Sequence, residues 1–370
     1  MKIVNLNLKN FRNYLDLDIN FNDKLNIIIG NNAQGKTNIL EAIYFLSITK
    51  SFLSVHDKTI VHKDMDYMKI SGDVKVNNYH KKLAITVNDE GKKIEVNSKV
   101  IKKHMDYLGS LRVIVFSPDD IKLLKDSPNV RRKFLNIELS QLYDKYVKLL
   151  ADFNVVLKQR NEYLKIVKNG NINYQYFDII DQKYVDLSVM LYRYRNNYIN
   201  ELNKYIDKKF LSIAMQEGLS IKYISDIDVD TIDNMKTNML ERLIGTRNRD
   251  ISYGSTGIGP HKDNFVFYLG DNNLSMYGSQ GQLKMAILSL KLSEIDIFKD
   301  VTGDAPILLL DDIFSELDIE KRNKLINYIN NDIQTIITTT DLNDIDSELV
   351  KIANIYKIQD GKVIDKIINN

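Results

Sequence analysis

The sequence predicts an α/β fold whose head is assembled from both ends of the chain, with a helical arm inserted between them. Three observations carry that reading. Near the amino terminus the apolar run Leu25-Asn26-Ile27-Ile28-Ile29 enters a loop containing glycine and lysine and then a helical pattern. In the middle, apolar residues step by three and four over two long stretches. Near the carboxyl terminus a second apolar run, Pro306-Ile307-Leu308-Leu309-Leu310, ends on Asp311 and Asp312. The corresponding division is 1–128 for the amino-terminal lobe of the head, 129–252 for the arm and 253–370 for the carboxyl-terminal lobe.

Up to about residue 125, short alternating or apolar runs read as strands: Ile3 to Leu8, Leu15 to Phe21, Lys69 to Val76 and Leu111 to Phe116, punctuated by Gly72, Gly91 and Gly109. Within them, Gly30-Asn31-Asn32-Ala33-Gln34-Gly35-Lys36-Thr37 sits between a strand and a helix, the setting a phosphate-binding P-loop requires. Backbone N–H groups from Gly30 through Asn38 would converge on a nucleoside triphosphate. Lys36 would neutralise the β and γ charges and serve in catalysis, and the Thr37 hydroxyl would ligate Mg²⁺. The helix starting near Lys36 adds its positive end. ATP and Mg²⁺ are therefore the expected cofactors.

From about 130, Leu139, Tyr143, Tyr146, Leu150, Phe153, Leu157, Leu164 and Val167 keep helical stepping, with the polar Arg160 on the same stripe. This predicts one long amphipathic helix. After Lys168-Asn169-Gly170-Asn171, a second stripe runs Ile180, Tyr184, Leu187, Leu191, Tyr194, Tyr198, Leu202 and Tyr205, so the two helices should pack antiparallel. Aromatic residues at this spacing are expected in a core rather than on a base-stacking platform.

Strands return with Asn264 to Leu269 and end in a hairpin turning at Asp360-Gly361. Between them, Ile307 to Asp312 has the form of a Walker B element, delivering two carboxylates at the end of a buried strand. Asp311 would hold Mg²⁺, directly or through water, and Asp312 would orient or deprotonate the attacking water. Ser315, in Ser315-Glu316-Leu317-Asp318, is positioned to cap a following helix. Some 30 residues earlier, Ser279, Gly281 and Gln282 open an apolar helix and offer hydroxyl, amide and backbone donors to an anion.

Composition bounds the rest. The 51 basic and 49 acidic residues leave a net charge of +2, so a nucleic-acid surface would have to be local. Cysteine is absent, which excludes disulfides and cysteine metal sites. No apolar run approaches the roughly 18–20 residues of a membrane span, and no signal-peptide core opens the chain. A cytoplasmic location without membrane contact is expected.

The order of P-loop, Ser-x-Gly-Gln and Walker B resembles that of ABC ATPases, in which the signature of one subunit closes over ATP on the P-loop of another. The resemblance implies an ATP-dependent homodimer. The inserted arm looks like a shortened coiled coil of SMC-type ATPases. Finer details are similar to the RecF family of bacterial recombination and repair proteins: Asn10-Phe11-Arg12-Asn13-Tyr14, Gly30 to Asn38 with Leu40-Glu41-Ala42, Phe116-Ser117-Pro118-Asp119-Asp120, Arg131-Arg132-Lys133-Phe134-Leu135, Gly259-Pro260-His261-Lys262-Asp263, Gly278 to Gln282 and Ile307 to Asp318. That resemblance implies ATP-dependent binding to double-stranded DNA and single-strand gap junctions, slow hydrolysis, association with the nucleoid, and the mediators RecR and RecO, which load RecA, as partners. The chain departs from the family pattern at Ser51-Phe52-Leu53-Ser54, where Ser-His-Arg-Thr is usual. It departs again at Gln282-Leu283-Lys284 and at His261-Lys262-Asp263-Asn264, where arginine gives way to lysine and loses its bidentate fork.

Basic residues suited to phosphate contact are Arg131, Arg132 and Lys133 at the arm's root, Lys158 and Arg160 along it, and Arg242, Arg247 and Arg249 near its return. Each also fits a solvated face. His261 is open between a phosphate contact and a structural turn residue. No histidine follows Walker B; Thr338-Thr339-Thr340-Asp341 stands there, and a threonine can orient water but carries no charge. A transport ATPase subunit, an SMC-like chromosome organiser and a scaffold in which ATP serves only structure are the competing readings.

Overall fold

A computed structural model describes residues 1–54, 56–76, 79–168, 170, 173–227, 232–314, 317, 320–322, 324–325 and 333–369. Ser315, Glu316 and Asp318 lie outside them, as do Asn169 and Asn171 of the expected turn. The chain divides into two compact units: 1–121 with 208–216 and 284–370, and 122–207 with 217–283.

The first unit holds two six-stranded sheets. One is antiparallel, in the order β2-β1-β4-β5-β6-β7, from β1 (Lys2–Phe11), β2 (Tyr14–Asn20), β4 (Met68–Val76), β5 (Tyr79–Asn88), β6 (Gly91–Val96) and β7 (Lys99–Val100). The other runs β15-β14-β3-β13-β12-β8, from β3 (Leu25–Ile29), β8 (Val113–Phe116), β12 (Ile307–Asp311), β13 (Thr335–Thr339), β14 (Asn354–Gln359) and β15 (Lys362–Ile367). All neighbours in it are parallel except the β14–β15 hairpin. The three central strands β3, β13 and β12 are buried almost throughout, which is why they read as apolar runs rather than alternations. Helix α1 (Lys36–Ile48) contacts strands of both sheets and is buried on nearly every side; Ile39, Leu40, Ile43, Phe45 and Leu46 join both sheets into one core. The sequence reading had missed β5, β6 and β7.

In the second unit, α2 (Lys122–Lys125) precedes α3 (Pro128–Leu142), α4 (Asp144–Lys168) and α5 (Tyr174–Ala214), whose last residues belong to the first unit. The single long helix expected from 130 is thus two helices. Tyr143 adopts an extended backbone (φ −134°, ψ 108°) while its N–H still bonds Leu139 O, so the break consumes one residue and leaves the apolar stepping in phase. Periodicity alone cannot register such a break. The antiparallel pairing of α4 with α5 holds: Tyr163 meets Phe177, Phe153 meets Tyr184 and Tyr146 meets Tyr194, with ring centroids 5.2, 5.4 and 5.5 Å apart. Tyr146, Tyr184 and Tyr198 are buried, as a core stripe requires.

Strand β9 (Leu219–Ile224) follows, then α6 (Ile232–Gly245), α7 (Arg247–Tyr253), β10 (Asn264–Leu269), β11 (Asn272–Asn273), α8 (Leu274–Tyr277) and α9 (Gln280–Thr302). β10 pairs with β9 over its whole length, and residues 253–283 fall in the same compact unit as α3 and α4. The sequence division placed them in the carboxyl-terminal lobe because β9, a six-residue strand, was not recognised.

Arg160 occupies the apolar stripe for a structural reason. Its side chain is fully buried, donating from Nε to Asp181 at 2.8 Å and from Nη1 to Asp250 at 2.8 Å and Thr256 at 2.9 Å, and so ties α4 to α5 and α7. It faces Phe177 and Tyr184 rather than solvent, which removes it from the DNA contacts expected from sequence. Arg160→Met leaves the buried Asp250 without its counter-charge and Asp181 with Arg247 alone, and should cost about 3–5 kcal/mol. Lys158→Met, at a side chain 78% exposed, should stay within about 0.5 kcal/mol. Urea denaturation followed by tyrosine fluorescence checks both.

Candidate nucleotide site

The parallel sheet sets the site. β3 and β12 flank β13, so the loop after β3 and the carboxylates ending β12 emerge at the same edge. The loop turns through left-handed backbone at Ala33 (φ 64°) and Gly35 (φ 110°), and α1 starts at once with Lys36. Gly35 has no side chain with which to cap the helix, and while the Asn38 N–H bonds Gly35 O, the Lys36 and Thr37 N–H groups precede the first intrahelical bond and suit an anion.

Lys36 is buried and donates to Gly30 O at 2.7 Å and Asn31 O at 2.9 Å, which holds its ammonium inside the loop. Burial lowers its pKa, against the pull of the Asp312 and Asp311 carboxylates. Thr37 Oγ1 donates to Asp311 Oδ1 at 2.8 Å, bringing the two expected cation ligands together from opposite ends of the sequence. Burial raises the Asp311 pKa, while hydrogen bonds from Thr338 and Thr37 and the Lys36 charge oppose the rise. Asn32, Ala33, Gly35, Lys36, Thr37, Asn38, Asp311 and Asp312 line a cleft of about 150 Å³. A hydroxyl and a carboxylate, with no nitrogen or sulfur donor, suit a hard cation such as Mg²⁺. Among the described residues no group of three or more His, Asp or Glu could hold a metal ion.

Two turns from opposite ends of the chain brace this loop. From the β1–β2 turn, Asn13 Nδ2 donates to Gln34 O (3.0 Å), Tyr14 Oη donates to Gly35 O (3.0 Å) and Asn13 Oδ1 accepts from Asn38 (2.8 Å). From the β14–β15 turn, the Asp360 N–H donates to Gln34 Oε1 (2.6 Å) and the Gly361 N–H to Gln34 O (3.3 Å). A Cβ on Gly35 would lie 2.5 Å from Asn13 Nδ2, and one on Gly30 would lie 2.4 Å from Ile358 O. Asn13 belonged to a recognised segment without an assigned role, and nothing local in sequence signals Gln34 or Asp360 as braces. A second cleft of about 560 Å³ opens from Asn13 and Asn38 towards Arg12, Leu53, Ser54, Thr59, Val61 and Lys63. In the divergent segment, Ser51 Oγ accepts from the Leu53 and Ser54 N–H groups, and Ser54 Oγ accepts from Arg12, which also grips Glu41 with two hydrogen bonds.

The signature residues lie in the other unit. Ser279 Oγ accepts from the Gln282 N–H (3.2 Å) while Gln282 Oε1 accepts from the Ser279 N–H (2.9 Å), a reciprocal cap on the 23-residue α9. Ser279 and Gly281 are exposed, and Leu283 is buried.

Of the basic residues, Arg131 is 9% exposed and spends its donors on Leu123 O, Asp126 O and Asn264 Oδ1, so it too is structural. Arg132 is half-buried on Asp263 O, and Arg247 pairs with Asp178 and Asp181. Lys133, Lys158, Arg242 and Arg249 are exposed. His261 is resolved as structural: Nε2 lies 3.0 Å from Thr256 O and Nδ1 3.2 Å from Tyr184 Oη, and burial pushes its pKa down to about 4.

The profile of the RecF/RecN/SMC N terminal domain matches residues 2–363. The DNA replication and repair protein RecF of Streptococcus agalactiae is 40% identical over 364 residues, 98% of each chain. That of Streptococcus gordonii is 38% identical over 98% of this chain and 100% of its own. The chain belongs to the RecF family. A solved recombination mediator protein RecF–ATP of the RecFOR pathway superposes with a TM-score of 0.92 at 32% identity, over 99% of this chain and 97% of that one. An Smc head domain from Pyrococcus furiosus, at TM-score 0.56 and 15% identity, shares the fold. The α/β ABC-type ATPase head with an inserted helical arm is therefore the fold of this RecF-family chain.

Gly35→Ala tests the bracing. A methyl group at φ 110° and 2.5 Å from Asn13 should displace the loop and weaken ATP binding at least about tenfold, while the far-UV spectrum stays that of the parent. Titration of a fluorescent ATP analogue reads the effect.

Proposed function

We propose that this RecF-family chain is an ATP-binding recombination mediator that acts as an ATP-switched clamp on DNA during repair. The observation that supports the reading best is the Thr37–Asp311 hydrogen bond, 2.8 Å long, which joins P-loop and Walker B across β13 in a chain that is similar end to end to RecF–ATP. Such a site serves phosphoryl transfer by positioning and charge rather than by covalent chemistry. Lys36 exchanges the Gly30 and Asn31 carbonyls for phosphate oxygens. Thr37 and Asp311 present oxygen ligands to Mg²⁺, which when bound neutralises developing phosphate charge. Asp312 orients the attacking water and accepts its proton.

The exposed Ser279 and Gly281 offer donors to a nucleotide on a second copy, so ATP acts as glue in a homodimer. Exposed Lys133, Lys158, Arg242 and Arg249 are the arm's contacts to DNA phosphates. Double-stranded DNA beside a single-strand gap is the substrate, RecR and RecO are the partners in loading RecA, and slow hydrolysis releases the clamp in the nucleoid. A transport or chromosome-organising role is not favoured, because identity to RecF proteins extends over 98% of the chain.

Lys36→Ala removes charge-assisted bonds to phosphate and should weaken ATP binding by about 1.5–3 kcal/mol, roughly 10- to 100-fold in Kd. Asp312→Asn should keep ATP binding, slow phosphate release at least about tenfold and prolong the dimer. For DNA, fluorescence anisotropy of a gapped duplex at fixed salt should rise with ATP and not without it. Equal binding in both conditions would remove the switch.

A further inference from the structure

The geometry points to Thr338 as the positioning residue that holds the two Walker B aspartates in register, through one hydroxyl that bonds the Asp311 carboxylate and the Asp312 backbone N–H. This rests on the nucleotide-site reading above.

Thr338 stands on β13 directly opposite Asp311, with β3 on its other side at Ile28, and it is fully buried. A central parallel strand calls for a β-branched apolar residue at such a position, and valine has the same shape. A hydroxyl there is costly to bury unless it is bonded. This one is bonded twice: Oγ1 donates to Asp311 Oδ1 at 2.7 Å and accepts from the Asp312 N–H at 3.0 Å. The neighbouring threonines differ, since Thr335 and Thr339 direct their hydroxyls to nearby backbone carbonyls, Ile333 O and Asp341 O.

Two consequences follow for the site. Asp311 Oδ1 accepts from two hydroxyls, Thr37 and Thr338. Thr37 is the one that turns to a cation, and Thr338, outside the cleft lining, then keeps the carboxylate aimed. Asp312 has left-handed backbone, φ 49°, uncommon for a residue with a side chain. Its N–H bond to Thr338 anchors that conformation and fixes where the side chain enters the cleft. Thr338 is fully buried and lies outside the cleft lining, so it acts through the two aspartates.

The test compares Thr338→Val, which keeps the shape and loses the hydroxyl, with Thr338→Ser, which keeps the hydroxyl and loses a methyl. Binding of a fluorescent ATP analogue is titrated with MgCl₂ and in EDTA, and phosphate release is measured at saturating ATP. The expected result is that T338V binds the analogue in EDTA as the parent does, needs about tenfold more Mg²⁺ for half-saturation and loses about tenfold in kcat with little change in KM, while T338S stays within about twofold of the parent throughout. A packing role gives the reverse order, with T338S impaired and T338V normal, and overturns the inference, as does a T338V indistinguishable from the parent. If T338V does not fold, T338A is compared with T338S, since only the former lacks the hydroxyl; equal Mg²⁺ dependence in that pair also overturns it. A parent protein that binds the analogue identically with and without Mg²⁺ refutes the site reading itself, and the inference with it.

Discussion

The phosphate loop is clamped between two hairpin turns that come from opposite ends of the chain, and the rest of the head is arranged around that clamp. Asn13 and Tyr14 hold the loop from one side, and Asp360 and Gly361 from the other. The packing leaves no room for a Cβ at Gly30, Gly35 or Gly361. A loop rich in backbone N–H groups is a poor anion site if it moves, because ordering it would consume the energy gained from the phosphate. Placing β3 in the middle of the parallel sheet, with β14 on one side and β13 on the other, lets both turns reach the same few atoms. The antiparallel sheet is needed for the same reason: its β1–β2 turn carries Asn13, and α1, gripped between the sheets, fixes the angle at which the loop becomes a helix.

Buried charge is handled in two ways. In the arm, Arg160 with Asp181 and Asp250, and Arg195 with Asp263, are enclosed and charge-paired, so they specify which helix faces meet. Burial raises the Asp263 pKa to about 7, opposed by hydrogen bonding to Tyr223 and by the Arg195 charge. In the head, Lys36, Asp311 and Asp312 face a cleft, and their charges can be traded to a ligand. The difference lies in what lines the far side of each group: packed aromatic rings in the arm, open volume in the head.

Sequence conveyed the site better than the arm. Fixed spacing from Gly30 to Thr37 and the apolar run into Asp311-Asp312 report chemistry that tolerates little variation, and the Thr37–Asp311 bond realises it. Arg131 and Arg160 were read as DNA contacts because a basic residue on a helix looks alike whether solvent or a carboxylate awaits it. Their partners lie up to 133 positions away in the chain, beyond the reach of local pattern. Strands β5 and β9 carry only short alternations, Leu83, Ile85 and Val87 in one and Leu219 and Ile221 in the other, set among lysines and tyrosines, and pairing with neighbours completes them. Residues 253–283, set with the carboxyl-terminal lobe by the sequence division, share a compact unit with β9, the partner of β10.

Several polar groups of the nucleotide site already have partners within the loop and the neighbouring strands. Lys36 holds the Gly30 and Asn31 carbonyls, and Thr37 holds Asp311, which Thr338 holds as well. A nucleotide with its cation therefore exchanges partners atom for atom within a braced loop, and the backbone has little reason to move. On the proposed reading, an ATP-dependent change of state is generated where a second copy completes the site. The γ-phosphate would then present its charge to the capped but exposed amino terminus of α9 on that copy, with Ser279 and Gly281. A P-loop that is already braced has little local rearrangement to absorb the binding energy of the outer phosphate, which on this reading is available for association.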